Sequence, residues 1–322
     1  MTTTPSMRHH VAPALMRKMH ADRALTRLGL SPDTSGTPKV VRSRLLNAAG
    51  LQVMRTLLAH SLHRRRTRNG ATSALAVGLA EEGIVVIPEF LPVPMFDGVQ
   101  AEFRRALEHA STLPLEKTTT SHVFVRYEDS SRRSGRFEEG VIDHDYVTIM
   151  PGESDLPMLR EHLLKNERLL GLIREVSGLS RLSSPEAYLD RMYLSNRAMS
   201  DDPQTELHED IFCHDWRAWF TINAWTEENA AFRYAARSHH LSLSRLAFEY
   251  WNSVTNTRDG GSWRLGPRAK RWLRIEPQSI CCPPNSLVLA NTGGYHARGV
   301  FQRGHIREAI QLIFRFNPWT RE

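Results

Sequence analysis

Four residues carry chemistry by type and spacing: His208 and Asp210 stand two apart, His296 follows, and Arg307 comes eleven residues after it. Two imidazoles and one carboxylate on one side of an ion leave coordination positions open for reactants. That set suits an iron(II) centre that works with dioxygen. Arginine adds a planar fork that fits the distal carboxylate of a dicarboxylic co-substrate.

These side chains meet only if the chain places them well. Residues i and i+2 of a strand point to one face, whereas a helix separates them by roughly 200°. The chain holds fifteen histidines and a second His-x-Asp, His20-Ala21-Asp22, in a helical context. The His208–Asp210 pair therefore gains meaning only from residues further along the chain. His296 comes after the apolar run Leu287–Ala290 and the turn Thr292-Gly293-Gly294, and Arg307 heads the apolar run Ala309–Phe314. A cation at the head of a core strand needs a partner, because an unpaired buried charge costs several kcal/mol. A bound carboxylate would serve, and so would Glu308. His305 with Arg315 is a shifted alternative to His296 with Arg307. The latter pair is preferred because Arg315 falls at the far end of the strand.

Neighbouring positions supply pocket candidates. Phe212 and His214 continue the two-residue period, and Arg298 follows His296 by two. Arg191, on the preceding strand, suits a co-substrate or an anionic substrate, or else an ordinary salt bridge. Trp251, with Tyr250 and Trp263, suits lid core or substrate contact.

The positioning elements follow from periodicity and punctuation. Ser43 is a plausible N-cap for a helix carrying Leu46, Ala49, Val53, Leu57 and Leu58, and a further helix is expected over Ala14–Leu28. Ala74–Glu82 reads as a helix, Ile84–Ile87 as a buried strand, and Met95–Leu107 and Pro157–Val176 as amphipathic helices. From Tyr188 the texture turns to short β segments. Strands are expected at Tyr188–Leu194, Thr205–Phe212, Trp219–Trp225, Arg274–Ile275, Leu287–Ala290 and Ala309–Phe316. Residues 241–271 interrupt them as a helical insertion or lid. The division is a basic, partly helical segment, 1–73, and a main domain, 74–322.

Composition bounds the rest. A 322-residue chain with 41% hydrophobic and 24% charged residues buries a sizeable core. It has no apolar run long enough for a bilayer. Cys213, Cys281 and Cys282 cannot form a disulfide framework or a spaced zinc site, so a reducing, cytoplasmic setting is the default. The charge is lopsided: residues 1–70 hold thirteen Lys or Arg against Asp22 and Asp33, so of the net +7 this segment carries +11 and the remainder −4. Arg64-Arg65-Arg66-Thr67-Arg68 reads as a solvated face or as a dock for an acidic partner. Nucleic acid is disfavoured because no aromatic side chain is interleaved for base stacking.

The chain resembles the phytanoyl-CoA dioxygenase-like branch of the Fe(II)/2-oxoglutarate-dependent oxygenases over 74–316. The carriers are Gly83–Pro88 with its following helix, His208-Glu209-Asp210, Trp225–Arg233, Arg237-Ser238-His239, His296 and Arg307. The resemblance implies an α+β fold: a double-stranded β-helix, the cupin-like jelly roll, flanked by helices. It implies metal ligands His208, Asp210 and His296, with Arg307 on 2-oxoglutarate. It also implies decarboxylation of that co-substrate with O2 to succinate and CO2, and a ferryl oxidant that hydroxylates a small metabolite or natural-product intermediate. Halogenating relatives replace the carboxylate ligand by a small residue, so Asp210 argues against halogenation. A protein or carrier-tethered substrate, or a catalytically silent jelly roll, is the alternative. Two departures stand out: Ala236-Arg237 where the family has Pro-Gly, and Arg298 where a small hydroxyl residue is common.

Overall fold

The computed structural model describes residues 40–41, 43–110, 117–118, 123–126, 146–150, 156–193, 203–256, 263–302, 304–314 and 316–319. The helix expected over Ala14–Leu28 and the alternative arginine Arg315 lie outside these residues. Helices α1 (Arg44–Ala48), α2 (Leu51–Arg66) and α3 (Ala74–Glu82) open the described chain. Ser43 and Ser73 cap α1 and α3 by accepting from the backbone N–H groups of Leu46 and Ala76. Strand β1 (Ile84–Ile87), helix α4 (Val93–Ala110), and strands β2 (Lys117–Thr118), β3 (Val123–Arg126) and β4 (Tyr146–Met150) follow. The stretch expected as one helix from Pro157 is α5 (Pro157–Leu159), a π turn over Arg160–Leu164, and α6 (Glu167–Ser177) capped by Asn166.

Strands β5 (Glu186–Tyr193), β6 (Trp216–Thr221), β9 (Leu287–Asn291) and β11 (Ile306–Ile313) join β1–β4 in an eight-stranded sheet of order β1-β9-β6-β11-β5-β4-β3-β2. Its described pairs are antiparallel apart from β3 with β4. A smaller antiparallel sheet has the order β10-β7-β8, from β7 (Phe232–Tyr234), β8 (Gln278–Ser279) and β10 (His296–Arg298). The architecture is thus mixed helix and mainly antiparallel sheet, as expected.

The near-continuous apolar strands have a physical cause: the large sheet is covered on both faces. Leu287 and Leu289 of β9, Trp216, Ala218 and Phe220 of β6, and Ile310 and Leu312 of β11 pack with the helices. The alternate residues Val288, Ala290, Trp219 and Ala309 meet Trp225, Phe232 and Tyr234 on the other side. Arg307 and Gln311 share the parity of Ala309, so the alternation that builds the core also turns them inward, between the sheets.

Two expected strands are absent. At Thr205–Phe212 there is a 3-10 turn (Pro203–Thr205) and then a single bridge residue, His208, paired with His296 on one side and Arg264 on the other. Arg274 takes φ +55° at a helix C-cap, and the Ile275 N–H donates to Lys270 O, so Arg274–Ile275 closes a helix.

The insertion holds α7 (Leu243–Thr255) and α8 (Pro267–Leu273). Helix α7 packs on the first two helices: Asn47 Nδ2 donates to Ser253 O at 2.8 Å and Thr56 Oγ1 to Glu249 Oε2 at 2.8 Å, both buried. Arg66, within the basic run, is tied to Ser177 O and Pro318 O. Among the described residues no helix is long and apolar enough to cross a membrane.

Candidate metal centre and its cavity

His208 and His296 face each other through two backbone bonds, His208 N to His296 O and the reverse, both 2.9 Å. Asp210 N donates to Thr292 O at 2.9 Å, holding the next turn of chain against the loop that precedes β10. The two imidazoles and the carboxylate converge: His208 Nε2 lies 3.8 Å from Asp210 Oδ1, and His296 Nε2 lies 3.6 Å from Asp210 Oδ2. One donor atom from each residue falls within a 4.8 Å group. Among the described residues this is the one such cluster of three or more.

The imidazoles are oriented through their other nitrogens. His208 Nδ1 contacts Glu206 O at 2.8 Å and His296 Nδ1 contacts Gly294 O at 2.9 Å. A carbonyl only accepts, so Nδ1 carries the hydrogen in each ring and a neutral ring presents the Nε2 lone pair to the centre. Burial, then the neighbouring His296, lower the His208 pKa to about 4, so this ring is neutral near pH 7. Separations of 3.6–3.8 Å are too long for hydrogen bonds. Ligand bonds of roughly 2.0–2.2 Å at right angles put neighbouring donors about 3 Å apart, so small torsions would close the set on an ion.

Arg217, which spacing did not single out, holds the carboxylate: its Nη1 lies 2.9 Å from Asp210 Oδ2, and its Nε lies 3.6 Å from Asp215. The available signal was its place in Trp216-Arg217-Ala218-Trp219, a cation within a central strand and hence in need of an anion.

The three residues line a cavity of about 230 Å³ between the sheets, together with Arg298, Arg307 and Arg217. Trp219, Phe232 and Met192 supply its apolar wall, and Gln204 and Gln311 further polar groups. Arg307 is buried, donates through Nη1 to Ala230 O and through Nη2 to Met192 Sδ, and lies over the Trp225 ring at 4.9 Å. Arg298 leaves β10 on the face of His296 and reaches the same cavity.

The other sequence candidates sit elsewhere. Arg191 is register partner to Glu308 across β5 and β11, one residue out of step with Met192 and Arg307, so it faces the helices and pairs with Glu308 at 3.6 Å. The ordinary salt bridge is what the structure builds there. Phe212 and His214 do not extend the ligand face, because beyond the bridge at His208 the chain bends at Asp210, Phe212 and Cys213 and forms no strand there. Phe212 is buried under Arg55 and Trp319, and His214 stacks on His63 at 3.8 Å in a second cavity. Trp251 is 67% exposed on α7, and Trp263 is core with Leu207 and Tyr295. His305 is exposed ahead of β11.

Sequence reasoning also passed over the buried group beneath the centre. Arg245 of α7 contacts Glu209 at 2.5 Å and Glu249 at 3.2 Å, and donates to Gly293 O at 2.7 Å and to Ser238 O. Burial opposes the Arg245 cation, but Glu209, then Tyr295 and Glu249, outweigh it and raise its pKa. Arg237 stands at φ +65°, the region glycine favours, and its N–H donates to Glu82 O. The departure from glycine there leaves the turn intact, and Ser238 Oγ still accepts from Tyr295 N.

The sequence matches no protein-family model and no curated protein. Its structure is similar to that of the epimerase SnoN in complex with Fe3+, α-ketoglutarate and nogalamycin RO, with 13% identity, 75% of this chain and 82% of that chain covered, and a TM-score of 0.51. It is also similar to EctD from S. alaskensis with bound Fe (11% identity, 77% and 78%, TM-score 0.47). A further neighbour is the non-heme α-ketoglutarate-dependent carbocyclase SnoK from nogalamycin biosynthesis (15%, 77% and 85%, 0.45). At such identities the likeness to SnoN is one of fold.

Proposed function

We propose that the chain is an Fe(II)- and 2-oxoglutarate-dependent oxygenase on a double-stranded β-helix, acting on a small organic molecule, most simply as a hydroxylase. One observation carries the reading: two imidazoles with Nδ1 committed to backbone carbonyls aim Nε2 at one carboxylate, in a cavity that also holds Arg307. The fold shared with SnoN, a protein seen with Fe3+ and α-ketoglutarate, supports it. A cavity of about 230 Å³ suits small reactants.

His208, Asp210 and His296 would hold the metal, which with 2-oxoglutarate and dioxygen supplies the oxidising power for C–H chemistry, giving succinate and CO2 as co-products. Arg217 pairs with the Asp210 carboxylate through Nη1 and helps fix its orientation. Arg307, held by Ala230 O, presents its fork to the distal carboxylate of the co-substrate. Trp219, Phe232 and Met192 supply the apolar wall against which reactants would pack.

The test is spectroscopic. Anaerobic protein with Fe(II) and 2-oxoglutarate should show a weak visible charge-transfer absorption that His208→Ala and Asp210→Ala abolish. A band missing from the wild type, or undiminished in both variants, would sink the proposal.

A further inference from the structure

We propose that the second cavity, between α2, α3, α6 and the start of β6, is a binding site for a flat, neutral hydroxyaromatic molecule of the phenol class. It shares no lining residue with the metal cavity, so the site stands apart from the oxygenase chemistry.

The space is about 290 Å³, enough for two fused six-membered rings. Trp216 and His214 both line it, with ring planes 20° apart and centroids 6.4 Å apart, so they offer a flat ligand two near-parallel faces. Ala71 and Val176 add apolar wall.

The polar edges select the functional group. Asn291 Oδ1 accepts from Gly293 N at 3.0 Å and from Asp215 N at 3.3 Å, so Asn291 Nδ2 is the group that meets His214 Nδ1 at 2.6 Å. His214 Nδ1 therefore accepts, and the hydrogen of this neutral ring sits on Nε2. His63 stacks on His214 at 3.8 Å and is neutral too, with one nitrogen a donor and the other an acceptor. Neither His214 Nε2–H nor the His63 ring nitrogens have a hydrogen-bond partner among the described residues. One hydroxyl answers both needs: its oxygen accepts from His214 and its hydrogen goes to the His63 lone pair.

Ions suit this wall poorly. Burial lowers the His63 pKa to about 3 and acts likewise on His214 and His239, so the surroundings oppose charge. At the rim Arg64 is exposed, and the Glu175 oxygens are taken by Thr72 and Ser73. The imidazoles do not form a second metal centre, because among the described residues the one group of three ligand atoms within 4.8 Å is that of His208, Asp210 and His296.

The experiment is a saturation-transfer NMR titration of the full chain at neutral pH with 2-naphthol, 2-methylnaphthalene and 2-naphthoate. 2-Naphthol should bind with a Kd of roughly 0.1–1 mM. The methyl isostere should bind about 5- to 10-fold more weakly, for want of the hydroxyl, and the anion more weakly than 2-naphthol. His214→Phe keeps a ring and removes the donor, so it should bring 2-naphthol and the isostere within about twofold of each other. Ala71→Phe fills the space from the loop before α3 and should abolish binding of both, at an unchanged denaturant midpoint. His208→Ala, in the metal cavity, should leave both untouched. Equal binding of 2-naphthol and its isostere by the wild type overturns the site, as does tighter binding of 2-naphthoate, which would make Arg64 the anchor. Binding that survives Ala71→Phe, or is lost in His208→Ala, overturns it as well, and so does a wild type that binds none of the three.

Discussion

Removing the Arg245 side chain tests whether the helical insertion builds the metal centre. Arg245 is 2% exposed and lies between Glu209 and Glu249, which are themselves buried. It also donates to Gly293 O at 2.7 Å, in the turn that delivers His296. Glu209 is the residue between His208 and Asp210. Arg245→Met keeps much of the volume and deletes the charge, leaving two buried carboxylates with no cation between them. Breaking such a group costs about 3–5 kcal/mol, mostly from the uncompensated charges. Guanidinium denaturation at neutral pH should show that loss.

The pH response has a definite sign. Without Arg245 the folded-state carboxyl pKa values rise above the unfolded value of roughly 4.3. The penalty is then full at high pH and lost as pH falls through the raised values, so the gap to wild type should narrow on acidification. Adding Glu209→Gln and Glu249→Gln should recover much of the stability, because a neutral triad carries no stranded charge. The folded variant should bind manganese(II) about 10- to 100-fold more weakly, as loss of an outer support does at metal sites. A stability loss under about 1 kcal/mol together with unchanged metal affinity would refute the reasoning.

Two further outcomes concern the region around that turn. Burial, then Arg66, lower the His63 pKa to about 3, and burial acts likewise on His60, His214 and His239. At His63 the unfolded chain takes up its proton below about 6.5 while the folded one does not until about 3, so stability present above pH 6.5 is lost on acidification. His63→Gln should flatten the stability profile by about 1.4 kcal/mol per pH unit between about pH 6 and 4; an unchanged slope would count against a neutral buried ring. A Cβ at Gly293 would collide with the Cys213 carbonyl oxygen, which is backbone and cannot step aside. Gly293→Ala should cost about 1–3 kcal/mol, seen as a lower denaturant midpoint at constant m, and a midpoint unmoved from wild type would show that the loop yields.

How far these features were legible depends on whether a local pattern or a distant partner decides them. Helices α3 and α4 and strands β1 and β9 were readable because helical periodicity and unbroken apolar runs are written within each segment. The stretch around His208 misled in a specific way. Its ligand spacing suggested a strand, yet one bridge residue flanked by His296 and Arg264 suffices to aim both side chains, and the alternation extended to Phe212 and His214 had no strand to run on.

Parity decided the arginines. Arg191 and Arg307 both lie on strands of the same sheet, but register sets Arg191 against Glu308 and Arg307 against Met192, so one faces helices and the other faces the cavity. Register between strands more than a hundred residues apart is invisible to any window of sequence. Arg217 and Arg245 escaped for the same reason, since each is explained only by a carboxylate that tertiary structure brings to it. A buried cation in such a chain is thus a question about its anion: for Arg245 the fold answers with Glu209 and Glu249, for Arg217 with Asp210 and Asp215.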